Sequence, residues 1–149
     1  ACSSGMTAFH LACQAIRDGT CTAAVVAGVN ILMNPSTFIQ FSQLGVLSPD
    51  GMCQSFSNKA NGYVRSEGCG VIVIKTLKEA LKEKNHIYCL IRGSAINQDG
   101  HQSPSLTMPS SQAQMEVFRM ACQNANVNPN EIFYAEAHAT GTKVGDPTE

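Results

Sequence analysis

Two short runs constrain the fold more than anything else in the chain: CTAAVVAGVN at residues 21–30 and GVIVIKTL at residues 70–77. Each is a continuous run of small and β-branched residues without polar alternation, the pattern of a strand buried on both faces. Such strands lie in sheets sandwiched between helices, and helical periodicity flanks both runs. Over residues 3–17, Met6, Phe9, Cys13 and Ile16 recur at helical spacing, and Gly19 stands where a C-terminal cap belongs. Residues 35–44 predict a short helix and residues 78–84 (KEALKEK) a short solvated one. A longer helix begins near Ser110 or Ser111, where Ser111 and Gln114 have capping-box spacing, and runs to about Ala125, ahead of Asn128-Pro129. IYCLIRGSAIN at residues 87–97 predicts a long strand and residues 133–137 another, while LSPDGMCQSF at residues 47–56 is turn chemistry. The class is α/β, with no internal repeat, low-complexity segment or linker.

A hydrophobic fraction of 44% in 149 residues gives a globular chain with a sizeable core. Charged residues make up only 14%, against roughly 25% in an average soluble domain, so part of this surface is expected to be covered by more protein. The first residues start at a helix and the last stop inside a Gly-rich loop, which adds the expectation that the chain is cut from something larger. A net charge of -1 and an isoelectric point near 6.5 provide no basic field for nucleic acid and no polybasic membrane patch. No stretch approaches the roughly 18 apolar residues of a membrane span, and no export signal opens the chain, so a cytoplasmic location is expected. The 7 cysteines form no C-x-x-C pair. That argues against a disulfide framework and a zinc ribbon, leaving mostly small buried hydrophobes in a reducing compartment.

Two residues stand out chemically. Cys2 is placed at the predicted first turn of a helix, where unpaired backbone N–H groups and the positive end of the helix dipole favour thiolate over thiol. It is a candidate nucleophile, or simply one more buried cysteine. His138 follows a predicted strand and opens the loop ATGT, the strand-end position at which α/β proteins place catalytic groups. His10, His86 and His101 read as structural or solvated, and none has metal-ligand spacing with a cysteine, so no metal is expected.

Five blocks in fixed order carry a family resemblance: ACSSG at residues 1–5, LSPDGMCQSF, NGYVRSEGCGVIVIK, RGSAINQDG and EAHATGTKVGDPTE. Together they resemble the β-ketoacyl synthase (ketosynthase) domain of type I polyketide synthases and animal-type fatty acid synthases, and the resemblance covers essentially all of the chain. It implies a thiolase-like layered α-β-α-β-α fold of which residues 1–149 are an incomplete central fragment: the end of the N-terminal half from the nucleophile helix, and the start of the C-terminal half. It also implies decarboxylative Claisen condensation, with Cys2 taking the acyl chain from a phosphopantetheine thioester. His138 would drive decarboxylation of the malonyl extender and stabilise the enolate. Thr140 and Thr142 would hydrogen-bond the pantetheine arm, and Glu149 would support the site by pairing with a lysine further along a longer chain. A second histidine and an oxyanion loop would also lie further along. The implied partners are an acyl carrier protein with its phosphopantetheine, acyl and malonyl thioesters, and a second copy joined sheet edge to sheet edge through the strand AAVVAGV. No cofactor is bound directly and no metal is used.

The sequence departs from the family pattern at several points. Ala139 stands where many members have glycine, adding a methyl beside the pantetheine. Gly5 replaces a more common serine, weakening the helix start by up to about 1 kcal/mol. NGYVRSEG and GTKVGDP lean toward animal-type synthases and their iterative polyketide relatives, NQDGHQSPSLTMPSSQAQ toward the polyketide side. Rival readings are a coenzyme A-dependent thiolase-like condensing enzyme, a non-condensing domain retained for docking or dimerisation, and a cysteine hydrolase.

Overall fold

The computed structural model describes residues 2–103, 105 and 107–149; Ala1 of the ACSSG block, and Pro104 and Leu106 of the polar loop, lie outside the described residues. In chain order the elements are α1 (Ser4–Arg17), β1 (Ala23–Asn30), α2 (Ser36–Gln43), β2 (Gly68–Lys75), α3 (Leu77–Lys82), α4 (Ser111–Ala125) and α5 (Gly145–Thr148). They divide into two compact units. The first comprises Ala1–Asn30, Gly68–Ile96 and Phe118–Pro129, the second Ile31–Glu67, Asn97–Val117 and Asn130–Glu149.

The first unit is built on an antiparallel ladder that pairs β1 with β2 from Ala23↔Lys75 to Asn30↔Gly68. α1 packs on β1, and a Cβ built on Gly5 would stand 3.9 Å from the Gly28 Cα, so small residues let helix and strand approach closely. Both predicted strands are therefore present, but they are buried on one face only. Val26 and Ile74 are 7% exposed, whereas Val25 and Val73 are 70% and 71% exposed. The alternation follows the two-residue period of a strand: α1 covers one face, and among the described residues no second layer covers the other. α1 ends as its sequence predicts, with Asp18 at the C-cap and Gly19 in the left-handed region at φ 75°. Its start is different. Ser3 makes no side-chain capping bond and Gly5 is a poor helix former, so helix begins at Ser4 and Cys2 stands exposed in the preceding turn, not within the first helical turn.

Two predicted strands are corrected. Residues 87–97 and 133–137 carry the right apolar composition but form no ladder, and Tyr88 and Phe133 are 92% and 100% exposed. A strand exists only where a neighbour completes its hydrogen bonds, and neither segment has one among the described residues. α4 starts where expected, at Ser111, and ends at Ala125, but its cap differs from the predicted one. Ser110, buried, accepts the Ala113 N–H on its Oγ at 3.2 Å, so Ser110 is the cap and Ser111 the first helical residue; the Ser111–Gln114 box is out of register by one. Beyond Ala125 the chain turns through Asn126 at φ 51°.

Candidate active site

The second unit gathers most of the chemistry around residues 138–149. α5 is a single turn, and it brings Glu149 back onto the residues that precede it. The Glu149 carboxylate accepts the His138 N–H on Oε1 at 2.6 Å and the Ala139 N–H on Oε2 at 2.8 Å. Both are hydrogen bonds to an ionised acceptor, the stronger kind, and together they fix the backbone from which the exposed His138 side chain projects.

A second carboxylate holds the other side of the loop. Asp146 is 7% exposed and accepts the Gly141 N–H on Oδ1 at 2.9 Å and the Phe56 N–H on Oδ2 at 2.7 Å. The Gly141 carbonyl in turn accepts the Gly62 N–H at 2.9 Å, and Ser55 Oγ donates to the Ala139 carbonyl. Residues 139–141 are thus pinned to the turn at residues 55–62 from both edges. Gly62 is required at this crossing: its φ is 140°, and a Cβ would fall 2.5 Å from Leu47 C and Ser48 N.

The turn itself is organised by residues between Phe41 and Arg65. Asn61 donates from Nδ2 to Asp50 at 2.6 Å and accepts from Ser48 Oγ at 2.8 Å. An aspartate at position 61 would set two carboxylates against each other, so the amide suits its neighbour here. Tyr63 packs edge-on to Phe41, and the Arg65 guanidinium lies 4.8 Å from the Phe41 ring centroid.

Ala139 takes φ 46°, the left-handed conformation that glycine adopts freely and alanine only at a cost. The methyl the sequence identifies as a departure is therefore a point of backbone strain, held by the Ser55 and Glu149 bonds on either side of its peptide units. Thr140 and Thr142 are half-buried with hydroxyls 3.4 Å apart, and Thr142 Oγ1 accepts the Gly145 N–H at 3.1 Å. A cavity of about 410 Å³ opens beside Thr142, lined also by Phe56, Ser57, Asn58, Lys143 and Asp146 among others.

His138, Thr140, Thr142 and Glu149 thus come together in one unit, and Cys2 belongs to the other, at the start of α1. The sequence reading missed Asp146, Ser55 and Gly62. It assigned the acid of the GDPTE block to Glu149 alone, although a loop with several inward N–H groups needs more than one acceptor. Among the described residues, no group of three His, Cys, Asp or Glu side chains is placed to hold a metal ion, and no helix is long and apolar enough to cross a membrane.

Comparison with known proteins agrees with this geometry. The sequence profile of the β-ketoacyl synthase N-terminal domain matches residues 1–80, and that of the C-terminal domain matches residues 88–149. The chain belongs to the β-ketoacyl synthase family. Within it, the chain is 49% identical over all 149 residues to a phenolphthiocerol/phthiocerol polyketide synthase of Mycobacterium tuberculosis, spanning 8% of that protein. It is 48% identical to highly reducing polyketide synthase 40 of Fusarium mangiferae, spanning 6% of it. Among solved structures, 98% of the chain superposes on the ketosynthase from module 6 of the bacillaene synthase of Bacillus subtilis with a TM-score of 0.94 at 42% identity, covering 26% of that chain. The oxazolomycin ketosynthase domain of Streptomyces albus gives a TM-score of 0.95 at 40% identity over 99% of this chain and 26% of its own. The fold is therefore the thiolase-like one of these ketosynthases, over about a quarter of their length.

Proposed function

We propose that these residues are the central slice of a polyketide synthase ketosynthase domain, residues 1–149 forming the end of its N-terminal half and the start of its C-terminal half. The reaction is decarboxylative Claisen condensation. Cys2 Sγ attacks the carbonyl of an acyl thioester, the carrier thiol leaves with the proton, and an acyl-Cys2 enzyme results. A malonyl thioester then loses carbon dioxide. Its enolate forms beside His138 and attacks the acyl-Cys2 carbonyl, expelling Cys2 as the thiolate and leaving a β-ketoacyl thioester on the carrier. Thr140 and Thr142 hold the pantetheine arm, with the cavity beside Thr142 as room for it. Glu149 holds the His138 backbone.

The observation that carries this reading is the double clamp on His138 and its loop, with Glu149 on one side and Asp146 on the other, in a chain whose residues 1–80 and 88–149 match ketosynthase profiles. A catalytic side chain needs such a supporting frame to keep its geometry through the reaction. The partners are an acyl carrier protein bearing phosphopantetheine and a second copy of the ketosynthase; the exposed Val25 and Val29 of β1 support the latter. The setting is cytoplasmic, without membrane or nucleic acid.

The test uses two variants of the complete ketosynthase. Cys2→Ala abolishes acyl loading, and His138→Ala loads acyl groups but neither decarboxylates malonyl carrier protein nor extends the chain. Acyl labelling elsewhere than Cys2, or normal extension by His138→Ala, overturns the assignment. Free acid in place of ketoacyl product favours the hydrolase, and no product the docking domain.

A further inference from the structure

Deepening that reading, and resting on it, we infer that His10 is a positioning residue for the nucleophile, its hydrogen bond to Ser94 fixing the helix that carries Cys2. α1 begins two residues after Cys2, so a slide or rotation of α1 moves the thiol with it. Packing alone fixes that helix poorly. The strand face beneath it presents Ala24, Val26 and Gly28, with Gly5 crossing over Gly28, so this contact has few large side chains to interdigitate. Only His10 and Cys13 of α1 are buried, and the contacts of a thiol are soft and undirected.

His10 supplies the direction that packing lacks. Its Nδ1 lies 2.9 Å from Ser94 Oγ. Ser94 sits on a segment that is itself locked in place: its carbonyl accepts Asn124 Nδ2 at 3.0 Å, and at the neighbouring Gly93 a Cβ would fall 2.5 Å from the Ala121 carbonyl oxygen. The second contact along this helix, Arg17 Nη2 to the Arg92 carbonyl at 3.5 Å, is long and exposed and adds little. At a helical rise of 1.5 Å per residue His10 stands about 12 Å along the chain from Cys2, too far to exchange a proton with it. It acts through the helix.

The experiment measures single-turnover loading of hexanoyl-N-acetylcysteamine onto Cys2 of the complete ketosynthase, read by intact-protein mass, for wild type, His10→Leu, His10→Asn, Ser94→Ala and the Leu/Ala double variant. Thermal melting establishes which variants fold. His10→Leu and Ser94→Ala are expected to lower the saturating loading rate about tenfold or more while KM changes little. His10→Asn, whose side-chain amide reaches the position of Nδ1, restores most of the rate, and the double variant is no slower than the slower single one. Wild-type loading by a folded His10→Leu or Ser94→Ala protein overturns the proposal, as does a double variant whose loss is the product of the two single losses. If His10→Leu does not fold, Ser94→Ala and His10→Asn decide by the same criteria. Absence of loading at Cys2 in the wild type overturns the ketosynthase reading itself, and this inference with it.

Discussion

Replacing Asp146 by asparagine changes almost nothing in shape and should nonetheless be costly. The carboxylate serves two backbone donors with its two oxygens, Gly141 N–H at 2.9 Å and Phe56 N–H at 2.7 Å, from a position only 7% exposed. An asparagine can offer an oxygen to one of them. Whichever way the amide is turned, its NH₂ group then faces the other N–H, donor against donor, in a place where water has little access. A hydrogen bond to a charged group is worth about 1.5–3 kcal/mol net, and a buried donor left without a partner costs about 1–3 kcal/mol. Counting one lost bond, and treating the orphaned donor as part of that same loss, Asp146→Asn should destabilise by about 2–3 kcal/mol. Asp146→Ala loses both bonds and should cost about 3–5 kcal/mol by the same reasoning. Urea denaturation of the complete ketosynthase reads these differences. Because the clamp holds the His138 loop, the Asn variant should also load Cys2 normally while condensing slowly. An Asp146→Asn protein within about 0.5 kcal/mol of wild type, the range of ordinary surface changes, would refute the two-donor account.

The same reasoning makes three further predictions. Ala139→Gly relieves a left-handed alanine at φ 46°, worth about 1–2 kcal/mol, against about 0.4–1 kcal/mol of added unfolded-chain entropy; calorimetry should show a net gain of about 0.5–1 kcal/mol, and a loss would show that the loop holds no strain there. Gly62→Ala forces a methyl to within 2.5 Å of backbone at Leu47 and Ser48 at φ 140°, so it should cost at least about 2 kcal/mol by urea denaturation, and a neutral result would contradict the crossing. Burial pushes the Cys13 thiol up from its ordinary value of 9.0, with a smaller opposing pull from Arg17. The folded state therefore keeps this proton longer than the unfolded chain does: the contribution is fully present below pH 9.0 and is lost as pH rises through the folded value. The denaturation midpoint should fall above that pH, and fall less in Cys13→Ala; equal slopes in the two proteins would count against it.

Much of this was legible in the chain itself, for identifiable reasons. α1, β1, α2, β2 and α3 follow from local signals, namely periodicity, β-branched runs and the Gly19 cap, which do not depend on distant partners. Residues 87–97 and 133–137 have strand composition without strand pairing, because a ladder depends on a neighbour that composition does not specify. The exposure of Val25 and Val73 has the same origin: a continuous apolar run states that both faces need cover, not what supplies it. At the site, His138, the two threonines and Glu149 stood out by motif. Asp146 and Gly62 did not, because their roles lie in contacts with residues far away in sequence: Phe56 for Asp146, at a separation of 90, and Gly141 for Gly62. His10 reads as structural or solvated in the sequence, and its bond to Ser94 across 84 residues is likewise invisible to local pattern.

The most direct test of the central claim is mass spectrometry of the complete ketosynthase, first exposed to an acyl thioester and then to malonyl carrier protein. The account predicts an acyl mass on Cys2 that disappears on the second addition as a β-ketoacyl thioester is released. An unmodified Cys2, or an acyl-Cys2 that persists or departs only as free acid, would contradict it.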